Sequence, residues 1–202
     1  MNKAIAKIGA MIVLATVILF AVCMLIPFDF GSYFVCMVLP IGYIMMTAGF
    51  CSECHEKYKT AANVGMVFAA IYATLIVIVY FAQLTVVRFG TVNEQAMRIL
   101  DFQKGGLLFN YDLLGYGMMA LSTFFVGLTI DGKATTDRWL KRLMMIHGIF
   151  FFACLIMPMT GMFRSMDNGS SAIGGVIALE CWCVYFIPVS VLSIIHFGKE
   201  HR

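Results

Sequence analysis

Two acidic side chains stand where acids are costly. Asp112 lies in "FNYDLLGYGMM" and Glu180 in "ALECWCVYF", each surrounded by apolar residues. A carboxyl group in such a setting must be paired, protonated or held against a ligand, and membrane proteins keep such groups mostly at working sites. At about 1.5 Å of rise per residue, Glu180 falls roughly 12 Å inside the last apolar run. Asp112, Tyr116, Gln83 and Tyr80 fall at comparable depth in two other runs, with Trp182 beside Glu180 and Arg88 at the boundary. Brought together, these side chains make a polar pocket for a small cationic or amphipathic molecule, and Arg88 is placed to neutralise a carboxylate. Each also has a plainer use. Asp112 can complement a helix N-terminus, Glu180 can bond a neighbouring helix, and Trp182 can fill the core. The pocket reading predicts that Glu180→Gln abolishes ligand binding and leaves the fold intact.

A second cluster is "CSECHEK", where Cys51, Cys54 and His55 have the Cys-x-x-Cys-His spacing of c-type haem attachment. The same side chains suit zinc, and His147, His196 and His201 are expected near the same face. One Cys-x-x-Cys pair lacks a second half, however. A haem would also need an axial ligand and an oxidising compartment. No cofactor is therefore expected, and the metal set Cys51, Cys54 and His55 stays as an alternative beside plain helix-end residues. There is no Gly-x-Ser-x-Gly, phosphate-binding loop or His-Glu-x-x-His, so no catalytic residue is assigned.

The elements that must position these groups follow from composition. Of 202 residues, 61% are hydrophobic and 12% charged, against about 25% charged in a soluble domain. That apolar surface needs lipid as solvent, so the bilayer is the first partner, and a net charge of +3 gives no reason to expect nucleic acid. Six runs reach the roughly 20 residues needed to cross hydrocarbon: 6–28, 32–51, 61–87, 108–130, 143–163 and 172–197. The expected fold is an all-α bundle of six transmembrane helices forming one domain.

Basic residues set the orientation. Of the fourteen Lys and Arg residues, Arg88, Arg98, Lys104 and Arg164 fall on one side and the other ten on the side of the N-terminus. The positive-inside rule then places both termini in the cytoplasm. The long connection carries "TVNE", a capping box with Thr91 and Glu94, and predicts a short amphipathic interfacial helix over 91–104. That helix is either a filler between spans or a lid over an outward-facing pocket. Ala61, Gly65, Ala69 and Ala73 form a small-residue stripe for close helix approach, within the chain or toward a homo-oligomer or membrane partner. Pro40, Pro158 and Pro188 should kink their spans. "NGS" at 168–170 fits a glycosylation acceptor in an outer loop.

"FNYDLLGYGMMALSTFFVGLTI", "RWLKRLMMIHGIFF" and "GGVIALECWCVYFIPVSVLSIIHF" together resemble the small six-span integral membrane proteins of Firmicutes-type bacteria. The resemblance implies a plasma-membrane location and carries no established activity or site residues. Three functional classes stand open: a small-molecule binder, sensor or carrier; a redox or metal-dependent membrane enzyme using the Cys/His cluster; and an accessory subunit.

Overall fold

The structure, a computed structural model, describes residues 2–163 and 170–199, the side chains of 170–176 excepted. Arg164, Asn168 and Gly169 of the "NGS" sequence, His201 and Arg202 lie outside the described residues. The chain is helical throughout its elements: α1 Asn2–Leu25, α2 Asp29–Glu53, α3 Lys59–Thr85, α4 Glu94–Leu100, α5 Leu107–Thr129, α6 Thr135–His147, α7 Phe150–Met159 and α8 Ser170–Gly198. Six crossings are long and apolar enough to span a membrane, α6 and α7 counting together as the fifth.

Their packing closes a ring. Helix α1 lies on α2 and α8, α2 on α3, α3 on α5, α5 on α6 and α7, and α6 on α8. The most buried crossings are α5 and α2, with 61% and 56% of their apolar windows inside the bundle. The fifth crossing is the least buried at 22%, and Ile149, Phe152 and Ile156 face outward from it. Outward apolar side chains of this kind meet lipid. The inward layer is aromatic, with Tyr43, Tyr72, Tyr80 and Phe186 fully buried.

Close approach depends on small residues. The α1/α2 seam is a contact between glycine backbones: a Cβ on Gly9 would sit 2.7 Å from the Gly42 carbonyl oxygen, and one on Gly42 would sit 2.7 Å from Ile12 Cγ2. Sequence reading singled out the α3 stripe and missed this one. Of that stripe, Gly65, Ala69 and Ala73 are buried within the chain, and a Cβ on Gly65 would meet Val126 of α5 at 2.7 Å. Gly42→Val is expected to lower the thermal midpoint of the micelle-solubilised protein, costing about 1–3 kcal/mol through overpacking. An unchanged midpoint would mean that the seam is looser than its geometry.

Two local expectations are corrected. The lid helix is capped by Asn93, whose Oδ1 accepts the Ala96 N–H at 2.9 Å, and Thr91 does not cap it. Asn is the stronger cap. The helix also ends at Leu100, because the Asp101 side chain takes the Gln103 N–H at 3.0 Å and starts a separate turn over Phe102–Lys104. The fifth crossing begins at Thr135, well before 143, and it breaks at Gly148–Ile149, with no break at Pro158. The early start has a helical cause. Asp137, Leu140, Met144 and His147 are buried at i, i+3, i+7 and i+10, so a polar-looking stretch still owns an inward face. Pro40 and Pro188 sit inside α2 and α8, each of which runs on past its proline.

Candidate functional site

At the end of the bundle that carries α4 and its flanking turns, here the lid face, lies a cavity of about 280 Å³. Asp29 and Tyr33 of α2, Gln83 of α3, Arg88, Met97 of α4, Asp101 and Gln103 line it. Two carboxyl groups therefore face one guanidinium. Gln103 Nε2 donates to Asp29 Oδ2 at 2.9 Å, which ties the lid turn to α2. Gln83 fixes the same lid from α3. Its Nε2 donates to the Leu100 carbonyl at 2.7 Å, and its Oε1 accepts the Phe102 N–H at 3.0 Å. Arg88 lies over the Phe30 ring at 4.6 Å and near Phe89 at 5.6 Å.

An aromatic layer forms the floor. Tyr33 meets Tyr80 at 5.6 Å between ring centroids, Phe102 meets Tyr80 at 5.8 Å, and Phe109 meets Phe102 at 5.0 Å. Asp112 of α5 lies behind this floor, 2% exposed, with the Tyr80 hydroxyl bonded to its carboxyl. Its Oδ1 has no hydrogen-bond partner among the described residues. No Lys, Arg or His forms a salt bridge with it there. Asp112 is thus a buried acid five residues into α5 and away from the helix end, so its depth exceeds what a helix N-terminus would require.

The other foreseen residues divide. Tyr116 packs edge-on against Trp182 at 5.0 Å, and Cys36 Sγ lies 3.9 Å from the Tyr116 hydroxyl. Trp182 therefore belongs to the core and lines no part of the cavity under the lid. Its indole Nε1 donates to His147 Nε2 at 3.1 Å. That bond settles the histidine. Indole N–H only donates, so His147 Nε2 is an acceptor and Nδ1 carries the hydrogen. Nδ1–H then donates to Thr123 Oγ1 at 2.7 Å, and the hydroxyl passes its own hydrogen to the Ala120 carbonyl at 2.8 Å. His147 is a neutral, fully bonded linker of α5, α6 and α8. Sequence reading had placed it at the membrane face; "MMIHGIF" carries the same flanking apolarity that marked Glu180.

Glu180 stands apart. Two positions on a helix differ by about 200°, so Glu180 cannot share the direction of Trp182. It is half-buried, its Oε1 is without a partner, and it does not line the lid cavity.

At the opposite end, Cys51, Cys54 and His55 are not brought together. The Cys51 thiol donates to the Ala62 carbonyl at 3.2 Å, Cys54 caps α2, and His55 Nε2 lies 3.4 Å from Asp131 Oδ2. Hydrogen bonds from Lys133 and then His55 hold Asp131 below the usual carboxylate range. Among the described residues no three His, Cys, Asp or Glu side chains form a group able to hold a metal ion. The same end does carry an ion cluster that sequence reading missed. His196 of α8 lies between Glu53 of α2 at 3.3 Å and Asp137 of α6 at 2.9 Å. Lys199 reaches Asp137 at 2.7 Å, and Lys3 of α1 reaches Glu53 at 3.8 Å. Four crossings are stitched together there.

No family model matches the chain, and neither a curated protein nor a solved structure does.

Proposed function

We propose that this multi-pass membrane protein binds a small organic cation in the cavity beneath α4, as a sensor or a carrier, with the lid face outward. The observation that carries the reading is the buried, unpaired Asp112 carboxyl behind an aromatic floor, below a vestibule holding Asp29 and Asp101. Aromatic faces and fixed carboxylates together recognise quaternary ammonium groups, and about 280 Å³ accommodates a molecule of about ten heavy atoms, near the lower end of ordinary ligand sites. Benzyltrimethylammonium, which cannot lose a proton, is the probe. Calorimetric titration of the purified full chain in micelles is expected to give one site, weakened at least tenfold in Asp112→Asn. Absence of binding by the parent chain would end the reading.

The plasma membrane and cytoplasmic termini belong to the same proposal, supported by the ten basic residues on the terminal side. A membrane-impermeant maleimide applied to intact cells should leave Cys54 unmodified and should label it after permeabilisation, as read by peptide mass spectrometry. Labelling before permeabilisation would invert the orientation.

A further inference from the structure

Behind the Asp112 carboxyl, hydroxyl and thiol groups continue inward in single file. Tyr80 of α3 bonds both Asp112 and Cys36 of α2. The Cys36 thiol lies 3.9 Å from the Tyr116 hydroxyl. The Tyr116 ring meets Tyr72 at 5.7 Å, and Tyr72 meets Tyr43 at 5.3 Å. The Tyr43 hydroxyl in turn contacts Ser122 and Thr47, and it donates to the Met119 carbonyl at 3.3 Å. Thr47 is 1% exposed and lies six residues before Glu53 on α2, about 9 Å along the axis. Phe50 fills that interval, with its ring 5.1 Å from the His196 imidazole.

The unpartnered atoms fall on this same line. Among the described residues, four buried side-chain oxygens lack a partner: Asp112 Oδ1, Tyr72 Oη, Glu53 Oε1 and Glu180 Oε1. Three of the four mark the start, the middle and the end of the file. Buried oxygens of this kind are where bridging water is held.

We infer that the file from Asp112 through Cys36, Tyr72 and Tyr43 to the Glu53–His196–Asp137 cluster is a proton path across the bundle. Cation binding under the lid would then release a proton at the opposite face. The inference rests on the cation reading above and adds a coupled reaction to it. The balance is simple. A cation arriving under the lid favours the ionised Asp112 carboxyl, whose O–H bond breaks. The proton passes by hydroxyl, thiol and water exchange, each carrier taking one and giving one, to a carboxylate of the cluster and then to bulk water. No electron moves, and the proton gradient across the membrane is the only other reactant. Asp112 is faced by Cys36 from α2, Tyr72 and Tyr80 from α3, Tyr116 from its own helix and Cys154 from α7. None of these carries a positive charge that would replace the cation. Glu53 and Asp137 are faced by Lys3, His196 and Lys199, which keep receiving carboxylates in place.

The test uses the full chain in sealed liposomes with a trapped pH-sensitive dye, the membrane potential clamped at zero. Benzyltrimethylammonium added outside should acidify the lumen by about one proton per lid-outward protein in the first burst, by reciprocal linkage. Tyr72→Phe and Tyr43→Phe should each slow that burst at least tenfold while calorimetric affinity for the cation stays within twofold. Retained affinity also certifies that these variants fold. Two results overturn the proton path and leave the cation reading standing: cation binding without lumenal acidification, and acidification at the parent rate in both variants. Failure of the parent chain to bind the cation overturns the cation reading, and the path falls with it.

Discussion

Replacing His147 by alanine is expected to unfold a large fraction of the protein, with a cost of about 3 kcal/mol or more. Two effects add. The first is a cavity at a site that is 4% exposed and ringed by Phe150, Tyr185 and Phe186 at centroid distances of 5.2–5.9 Å; large-to-small changes of this sort cost about 2–5 kcal/mol. The second is the Trp182 N–H, which loses its acceptor inside the bundle, worth about 1–3 kcal/mol. His147→Phe separates them by refilling the volume while still orphaning the indole, so its cost should be close to the second alone. Thermal midpoints of the three proteins in the same micelle measure both. Equal midpoints for the parent and His147→Phe would show that the Trp182–His147 bond contributes nothing, a real alternative because interhelical hydrogen bonds in membranes often average only about 0.6 kcal/mol.

Asp112→Asn should give the largest change in ligand binding, because it removes a unit charge from beneath the floor while keeping the shape. Two unit charges about 8 Å apart interact by about 2 kcal/mol at an effective dielectric of 20, which corresponds to roughly thirtyfold in affinity. The pH dependence distinguishes this from a packing effect. The cation favours the ionised carboxyl, so parent affinity should rise with pH as Asp112 loses its proton, and the asparagine variant should be flat. Glu180→Gln should leave affinity nearly unchanged, since Glu180 does not line the cavity. A large loss in that variant with none in Asp112→Asn would move the site to α8.

How much was legible in the sequence can be judged residue by residue. The six crossings were legible because hydrocarbon thickness imposes a length that composition cannot disguise. The lid and its place over Gln83 and Arg88 were legible from the amphipathic stretch between spans three and four. The fifth crossing was blurred because Thr135, Asp137, Arg138, Lys141 and Arg142 mask an inward face repeating every three to four residues. The grouping of the deep polar residues was not legible. Equal depth on four helices says nothing about rotation, and rotation decides that Asp112 and Tyr80 meet while Glu180 turns away. The same blindness hid His147, since its partners Thr123 and Trp182 are 24 and 35 residues distant.

The most direct test locates the cation itself. Phenyltrimethylarsonium has the shape and charge of a quaternary ammonium probe, and its arsenic scatters anomalously. In crystals of the full chain, the account places the arsenic peak under α4, within about 6 Å of the Tyr33 and Phe30 rings and on the lid side of Asp112. A peak beside Glu180 on the outer face of α8, or no peak at saturating concentration, would contradict it.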